Sequence, residues 1–376
     1  MSNRLKIVTV VGTRPEIIRL SAVIKLLDAH TDLVLVHTGQ NYDYELNEVF
    51  FEDLGLRAPD HFLEADTSSL GTALGTIISG TEKVLQAEMP DAFLVLGDTN
   101  SCISALMAKR MKIPVFHMEA GNRSFDENVP EETNRRLVDH VSDYNLVYTE
   151  HARRNLLAEG IHSSRILLTG SPMREVLEQN AEQIDASGAL EEQGLNPQGY
   201  FLVSLHREEN VDKPERLQMA VDTLEALHSK YNVPVLVSTH PRTRKRLEAL
   251  GAQEKEGFIF HPPFGFHDYI KLQKEAKLVL SDSGTISEES SILDFPAVTM
   301  RDFIERPEAL DTGAIITTGL NSTDVLDAVE MALNLFESRE QSVVPTAYAI
   351  RDTSSRVLTF VRSSAHSHSQ RTGIRK

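Results

Sequence analysis

Short apolar runs alternate with longer amphipathic segments along most of the chain. The runs are rich in Val, Ile and Leu and are apolar throughout, a pattern typical of parallel strands that helices cover on both faces. The amphipathic segments between them predict helices, for example over residues 70–86 and 217–230. The alternation therefore predicts an α/β fold with strands over residues 6–11, 33–37, 92–96, 113–118, 144–147, 166–169, 200–205, 233–238, 258–260, 278–281 and 297–300.

A polar stretch over residues 180–199 interrupts the alternation near the middle of the chain. The order of elements after it repeats the order before it. We therefore expect two Rossmann-like, doubly wound domains, residues 1–180 and 181–345, that face each other across a cleft. A last helix, predicted over about 346–361, is expected to join residues 346–376 to the first domain. The polar end, residues 363–376, is predicted to be frayed and solvated rather than to bind metal through its two histidines.

Composition narrows the possible partners. The 376 residues carry a formal net charge of −17, which disfavours a general affinity for nucleic acid or anionic membranes. The single cysteine, Cys102, excludes an internal disulfide and fits a reducing compartment. No apolar run approaches the ~20 residues of a membrane span, and the N-terminus lacks a signal-peptide pattern. A cytoplasmic location is expected.

Polar clusters directly follow six of the predicted strands. In an open parallel sheet, ligands bind outside the carboxyl ends of the strands. Two domains that present these ends to each other would bring all six clusters into one cleft. The segment 117–140 is the most crowded, with six carboxylates and three arginines. The clusters cover residues 12–16, 97–100, 119–121, 206–209, 240–242 and 282–285.

The sequence SDSGTISEES, residues 281–290, reads as a strand that turns into a helix through small residues. Ser283, Gly284 and Thr285 would leave backbone N–H groups at the helix start, where a phosphate binds well. Thr285 and Glu288 match a capping box. Glu289, one turn later, could bind the two ribose hydroxyls. From this motif alone, a well-capped helix without a ligand is an equally good interpretation.

Three arginines can supply positive charge to a diphosphate. Arg301 and Arg306 follow the next predicted strand, where they either meet a phosphate or only pair with Glu305 and Glu308. Arg14 lies in a tight turn before the first helix and can reach a diphosphate from the opposite wall of the cleft.

Several cofactor motifs are missing from the sequence. No G-x-G-x-x-G follows the first strand, and no G-x-x-x-x-G-K-[ST] occurs, which disfavours a dinucleotide cofactor and P-loop chemistry. Cys102 is alone and no H-E-x-x-H appears, so a zinc site is not expected. A nucleoside diphosphate surrounded by acids remains, which suggests a nucleotide sugar.

The motifs together resemble the non-hydrolysing UDP-N-acetylglucosamine 2-epimerase family. The similarity extends from Lys6 to about Leu333 and implies a glycosyltransferase-B-like fold, a cofactor-free and metal-free isomerase, and a homodimer. The matching segments are VVGTRPEIIRLS, LVLGDTNS, HMEAGNRSFDENVPEETNRR, SLHREEN, STHPRTRKR and LSDSGTISEESSI.

Within the family, HTGQNYDYELNEVFF and FGFHDYIKLQ are most similar to the subgroup that makes UDP-N-acetyl-L-fucosamine for capsule or O-antigen synthesis. The resemblance implies UDP-2-acetamido-2,6-dideoxy-L-talose as substrate. Enzymes acting on UDP-N-acetylglucosamine typically carry Gln-His where this chain has Gln40-Asn41, which argues against activation by an effector nucleotide sugar. The alternatives are interconversion of UDP-N-acetylglucosamine and UDP-N-acetylmannosamine, a hexosyltransferase of the same fold, a hydrolysing epimerase and a nucleotide-sugar sensor.

The family reaction breaks the C1–O bond to UDP while the C2 hydrogen leaves, and UDP then adds back to the 2-acetamidoglycal. Charge on the departing phosphate must be stabilised, and protons must move on two faces of the sugar. The resemblance identifies Asp98, Glu119 and Glu131 as the catalytic acids, without fixing which one removes the C2 proton. It assigns His206 to the departing diphosphate. Residues expected to bind UDP or substrate are Arg14, Arg135, His240, Ser283, Gly284, Thr285, Glu289 and Arg301.

Overall fold

The computed structural model describes residues 4–40, 44–239, 241–251, 256–302, 304–340 and 343–374. The chain divides into two compact units. The first unit comprises Met1–Gln179 and Ala349–Lys376, and the second comprises Asn180–Tyr348. Each unit has its own parallel sheet.

The sheet of the first unit has seven parallel strands in the order β3-β2-β1-β4-β5-β6-β7. This order reverses beside β1, as in doubly wound nucleotide-binding folds. The strands are β1 (Lys6–Val11), β2 (Asp32–His37), β3 (His61–Phe62), β4 (Ala92–Leu96), β5 (Val115–Met118), β6 (Tyr144–Val147) and β7 (Ile166–Leu168).

Helices cover this sheet and also include the end of the chain. Helix α1 starts with Pro15 in its first turn, where the missing N–H costs no hydrogen bond, and packs against α17. The α-helices of the unit are α1 (Arg14–His30), α2 (Tyr44–Asp53), α3 (Leu70–Glu88), α4 (Ala105–Arg110), α5 (Pro130–Val141), α6 (Glu150–Ala158), α7 (Met173–Gln179), α17 (Thr353–Ala365) and α18 (His368–Thr372), with 3-10 turns at Asn100–Ser104 and Ser163–Arg165.

The second unit repeats the layout with six parallel strands in the order β10-β9-β8-β11-β12-β13. Its strands are β8 (Phe201–Leu205), β9 (Val235–Thr239), β10 (Phe258–His261), β11 (Leu278–Ser281), β12 (Ala297–Met300) and β13 (Ile316–Thr318). Its helices are α8 (Ala181–Ala186), α9 (Ala189–Glu192), α10 (Glu208–Val211), α11 (Pro214–Tyr231), α12 (Pro241–Ala249), α13 (Phe266–Glu275), α14 (Ile286–Leu293), α15 (Pro307–Asp311) and α16 (Ser322–Ser338).

The predicted α/β class with two parallel sheets is confirmed. Each predicted strand overlaps an observed one, because most residues of these strands are apolar. The sequence pattern missed β3 and β13, which have two and three residues at sheet edges and give no apolar run. Within the described ranges, no helix is both long and apolar enough to cross a bilayer.

The prediction of a frayed C-terminal end is wrong. Helix α18 forms there, and His368 is only 2% exposed. Its Nδ1 lies 3.3 Å from the hydroxyl of Tyr144, and the two rings meet edge to face. The last helix was predicted over 346–361, but the observed helix, α17, begins later, at Thr353, and extends to Ala365.

Candidate active site

Glu119 has an unusual backbone conformation at the end of β5. Its φ of 61° is left-handed, which costs free energy for any residue with a Cβ and is found mostly where structure or function requires it. The carboxylate pairs with Arg19, and Asn122 Nδ2 donates to it at 3.4 Å. A Cβ added to Gly97, the residue after β4, would lie 3.8 Å from Glu119 Oε2. The carboxylate of Glu119 therefore lies beside the end of β4.

Asp98 is held by the helix that carries the neighbouring acids. Arg135 of α5 donates to Asp98 Oδ2 from Nε at 2.7 Å and from Nη2 at 2.5 Å. Asn134 Nδ2 donates to the backbone carbonyl of Asp98 at 2.8 Å. The Arg135 side chain is 5% exposed and that of Asp98 is 23% exposed. Asp98 is thus fixed in position while part of its side chain stays accessible.

The two adjacent acids at the start of α5 differ in environment. Glu132 is buried and accepts hydrogen bonds from the Ser124 backbone N–H at 3.0 Å and from Arg135 Nη1 at 3.3 Å. Burial raises the pKa of Glu132, but these donors outweigh it and lower that pKa overall. Glu131 is half-buried and makes no hydrogen bond or ion pair within the described residues. Glu132 anchors the preceding loop, and Glu131 remains available for chemistry.

Glu16, a buried carboxylate with no predicted role, joins the loops after β1 and β4. Glu16 accepts hydrogen bonds from the Gly12 N–H at 3.0 Å, Thr13 Oγ1 at 2.8 Å and Thr99 Oγ1 at 3.0 Å. Gly12 is required there, because a Cβ would lie 2.1 Å from Thr38 Oγ1. Burial raises the pKa of Glu16 to about 7, despite these hydrogen bonds.

Replacing Glu16 should change how stability depends on pH. The folded chain keeps the Glu16 proton between its ordinary pKa of 4.5 and about 7, whereas the unfolded chain releases it. The stability that this proton contributes to the folded chain is complete below the ordinary pKa and is lost as pH rises to about 7. From pH 5 to pH 8 the free energy of unfolding of the wild type should therefore fall, and in Glu16→Gln this fall should be smaller by roughly 2 kcal/mol. Urea unfolding followed by circular dichroism measures this difference.

Glu191→Gln is the matched control, because Glu191 is exposed on α9. It should keep the pH dependence of the wild type. An unchanged pH dependence in Glu16→Gln would show that Glu16 is not held protonated in the folded chain.

A second buried carboxylate joins the loops after β4 and β5. His117 lies between Asp139 Oδ1, 2.9 Å from its Nδ1, and the Gly97 carbonyl, 2.8 Å from its Nε2. The N–H of Gly121 donates to Asp139 Oδ2 at 3.1 Å. His117 and Asp139 are both fully buried. These hydrogen bonds of His117 and Asp139 fix the backbone beside Asp98 and Glu119.

In the second unit, His206 follows β8 and is paired with a residue after β11. Its Nδ1 lies 2.8 Å from Asp282 Oδ1. The His206 side chain is 43% exposed, whereas that of Asp282 is fully buried. The sequence motif indicates Asp282 only as the residue before the predicted phosphate site.

The small-residue loop before α14 has the predicted position but not the predicted cap. Thr285 has φ −74° and ψ −21°, which is already helical, and its side chain caps no N–H. Its hydroxyl instead lies 3.0 Å from Ser283 Oγ. Glu288 is buried and contacts Arg306 at 3.3 Å. The capping-box prediction is therefore wrong, because both side chains have other partners.

Around this loop, arginines and acids form buried pairs. Arg301 Nη1 lies 2.5 Å from Glu305 Oε2, and Arg207 Nη2 lies 3.3 Å from Glu305 Oε1. A Cβ on Gly284 would lie 2.6 Å from Glu305 Oε1, so only glycine allows this approach. Arg306 Nε donates to the Gly284 carbonyl at 3.0 Å. Gly284 thus lies close to both Arg301 and Arg306.

The remaining predicted residues are placed as follows. Glu289 is 7% exposed, and its Oε2 accepts a hydrogen bond from Gln273 Nε2 at 2.7 Å. Arg14 is exposed, with its guanidinium 5.4 Å from the centre of the Phe50 ring. His240 lies outside the described residues.

The structure therefore groups the predicted residues into two sets, one in each unit. The first unit contains Arg14, Asp98, Glu119, Glu131 and Arg135, and the second contains His206, Ser283, Gly284, Thr285, Glu289 and Arg301. None of Glu16, Asp139 and Asp282 was predicted to be a site residue. Glu16 and Asp282 lie in the predicted strand-end clusters and Asp139 lies in the crowded segment 117–140, but the partners that bury them are distant in the chain.

Comparison with solved structures supports the predicted glycosyltransferase-B-like fold. The same comparisons also identify the family. The chain matches the family described as UDP-N-acetylglucosamine 2-epimerase over residues 25–362. A solved structure of the UDP-N-acetylglucosamine 2-epimerase from Rickettsia bellii is 47% identical, with a TM-score of 0.91 and coverage of 98% of each chain. The enzyme from Methanocaldococcus jannaschii is 40% identical over 88% of this chain and 93% of its own.

Two further comparisons concern ligands and substrates. A structure of the M. jannaschii enzyme in complex with UDP-GlcNAc and UDP has a TM-score of 0.89 and 36% identity over 96% of this chain and 100% of its own. The UDP-2,3-diacetamido-2,3-dideoxy-D-glucuronate 2-epimerase of Pseudomonas aeruginosa is 37% identical over 88% of this chain and 92% of its own.

The two parallel sheets and the sequence identity to these relatives over nearly the whole chain define an isomerase of the UDP-sugar 2-epimerase type. The chain belongs to the UDP-N-acetylglucosamine 2-epimerase family. The predicted enzyme class is confirmed.

Proposed function

We propose that this chain interconverts UDP-N-acetylglucosamine and UDP-N-acetylmannosamine without a cofactor. The observation that carries the proposal is the match over nearly the whole chain to relatives named for this reaction. The C1–O bond breaks with its electrons going to UDP while the C2 proton passes to a protein base. UDP then adds back to the glycal, and a proton arrives on the opposite face of C2.

The three carboxylates of the first unit suit the proton transfers. Glu119 is held beside the end of β4, and Asp98 is fixed by Arg135 with its side chain partly accessible. Glu131 has no partner within the described residues. Three acids on separate backbone segments can serve two faces of one sugar, which a single side chain cannot do.

The second unit supplies most of the residues proposed to bind UDP or substrate. Ser283, Gly284 and Thr285 precede helix α14, a position that favours phosphate. Arg301 is close by and can exchange its Glu305 partner for a phosphate oxygen. Glu289 is proposed to accept hydrogen bonds from the ribose hydroxyls. His206 is proposed to donate to the departing diphosphate. Arg14, Arg135 and His240 complete the proposed set.

A second candidate substrate is the 6-deoxy sugar UDP-2-acetamido-2,6-dideoxy-L-talose, with UDP-N-acetyl-L-fucosamine as product. The motifs around Gln40 and residues 264–273 favour it. Gln40 Nε2 donates to Ser101 Oγ at 2.9 Å, and Asn41 lies outside the described residues. The P. aeruginosa relative shows that a 2-epimerase with a different sugar is compatible with 37% identity.

Proton NMR in D2O tests the proposal. The purified chain with UDP-N-acetylglucosamine alone should exchange the C2 proton for deuterium and produce a second UDP-sugar. The exchange follows from the removal of the C2 proton in each turnover. A parallel reaction with UDP-N-acetyl-L-fucosamine ranks the two candidates by initial rate.

Each other outcome identifies a different function. Accumulating free UDP and free sugar would indicate hydrolysis. Turnover only with an added acceptor would indicate a hexosyltransferase. Binding of UDP-sugars without exchange in either would indicate a sensor and contradict the proposed reaction.

A further inference from the structure

The two ring nitrogens of His206 have different surroundings. Nδ1 lies 2.8 Å from Asp282 Oδ1, and the backbone N–H of His206 is 3.1 Å from the same carboxylate. Nε2 makes no hydrogen bond within the described part of the chain. The ring is therefore fixed from one side while its other nitrogen remains available.

Asp282 is held as an anion by several donors. Its Oδ2 accepts hydrogen bonds from the Arg207 N–H at 3.0 Å and from Asn210 Nδ2 at 3.1 Å. Burial opposes ionisation, but the neighbouring His206 and these hydrogen bonds lower the pKa of Asp282 to about 2. An ionised carboxylate only accepts hydrogen bonds, so the proton in the contact with His206 belongs to Nδ1.

We propose that Asp282 is a positioning residue that keeps a proton on His206 Nδ1 and so reserves Nε2 for proton exchange with the departing UDP. The catalytic part rests on the proposed function. In the forward step the C1–O bond breaks, its electron pair goes to the β-phosphate oxygen, and Nε2 donates its proton to that oxygen. In re-addition the oxygen bonds to the sugar and the proton returns to Nε2. The loop of Ser283 follows Asp282 directly, so one residue links the histidine to the proposed diphosphate site.

Asp282→Asn should reverse the arrangement of protons. The amide keeps its bonds to Arg207 and Asn210 only if its oxygen occupies the Oδ2 position. Its NH2 group then faces His206 Nδ1, which must accept rather than donate. The neutral ring would carry its proton on Nε2 and would be a very weak acid.

The first experiment reads the protons directly and needs no turnover. The full chain is labelled with 15N-histidine, and His206→Gln identifies the His206 signals among the 14 histidines. At pH 7 to 8, Nδ1 of the wild type should be protonated, and in Asp282→Asn it should not. Asp294→Asn, the same change at an ion pair of the same unit, should leave the signals unchanged.

A wild-type Nδ1 without a proton would overturn the proposal. This outcome is read from the wild type, so it does not require Asp282→Asn to fold. It also holds whether or not the chain catalyses the proposed epimerisation.

The second experiment separates positioning from general support of the fold. Asp282→Asn should lower kcat by roughly 10²–10⁴-fold in the wild-type background. In His206→Asn it should change the residual kcat less than about twofold, because the histidine through which it acts is missing. Equal losses in both backgrounds would overturn the proposal. A wild type that binds UDP without epimerising anything would instead refute the proposed function.

Discussion

Glu119→Gln should lower kcat by roughly 10²–10⁴-fold in the proton-exchange assay, because an amide has the shape of the carboxyl group but cannot transfer its proton. The Asn122 contact and the left-handed backbone of residue 119 can persist in the variant. UDP affinity should change little, since Glu119 is not among the residues proposed to bind UDP. Calorimetric titration with UDP provides that comparison.

Glu127→Gln is the matched control, because Glu127 is an exposed acid of the same segment. It should keep activity within about twofold of the wild type, as surface changes away from a site usually do. Activity of Glu119→Gln near that of the control would exclude Glu119 from the proton transfers. Circular dichroism checks that loss of the Arg19 partner has not unfolded the chain.

Arg306→Ala should destabilise the second unit by about 3–5 kcal/mol, since it leaves buried acids without their cation. Arg306 is 1% exposed, contacts Glu288 at 3.3 Å and donates to the Gly284 carbonyl at 3.0 Å. Burial raises the pKa of Glu308, and Arg306 counteracts that rise. Urea unfolding followed by circular dichroism suits this chain, which has no tryptophan.

Arg244→Ala serves as the control for loss of an arginine. Arg244 and Glu248 are 3.5 Å apart on α12, with side chains 40% and 48% exposed. Water screens such a pair, so its loss should cost about 0.5 kcal/mol or less. Equal effects of the two substitutions would mean that the buried pair contributes no more than a surface pair.

The sequence predicted the sheets well because their strands are buried on both faces. Such strands are mostly apolar, and residues 92–96, which are apolar without interruption, were predicted with the observed ends of β4. The short edge strands β3 and β13 lack this signal. The C-terminal end was mispredicted because its burial depends on Tyr144, which lies 224 residues from His368 in the chain.

The candidate site, like the fold, could be predicted only in part. Parallel sheets place ligands beyond the ends of their strands, where Asp98, Glu119 and His206 lie. These three residues and Glu131 were expected from the motifs of the family resemblance. The carboxylates that hold these motifs in position were not. Glu16 bonds Thr99 across 83 residues of sequence, and Asp282 bonds His206 across 76. Such pairing depends on which strands become neighbours, and local sequence does not encode that.

The return of the chain to its first unit has a consequence for protein synthesis. Helix α17 packs against α1, yet the 169 residues from Asn180 to Tyr348 are made between them. A nascent chain therefore cannot cover that face of α1 until the second unit has left the ribosome. Closing so long a connection costs entropy and slows folding. We expect the second unit to reach its native state first and the first unit to be completed last, with the apolar face of α1 as the surface that a chaperone would protect in the interval.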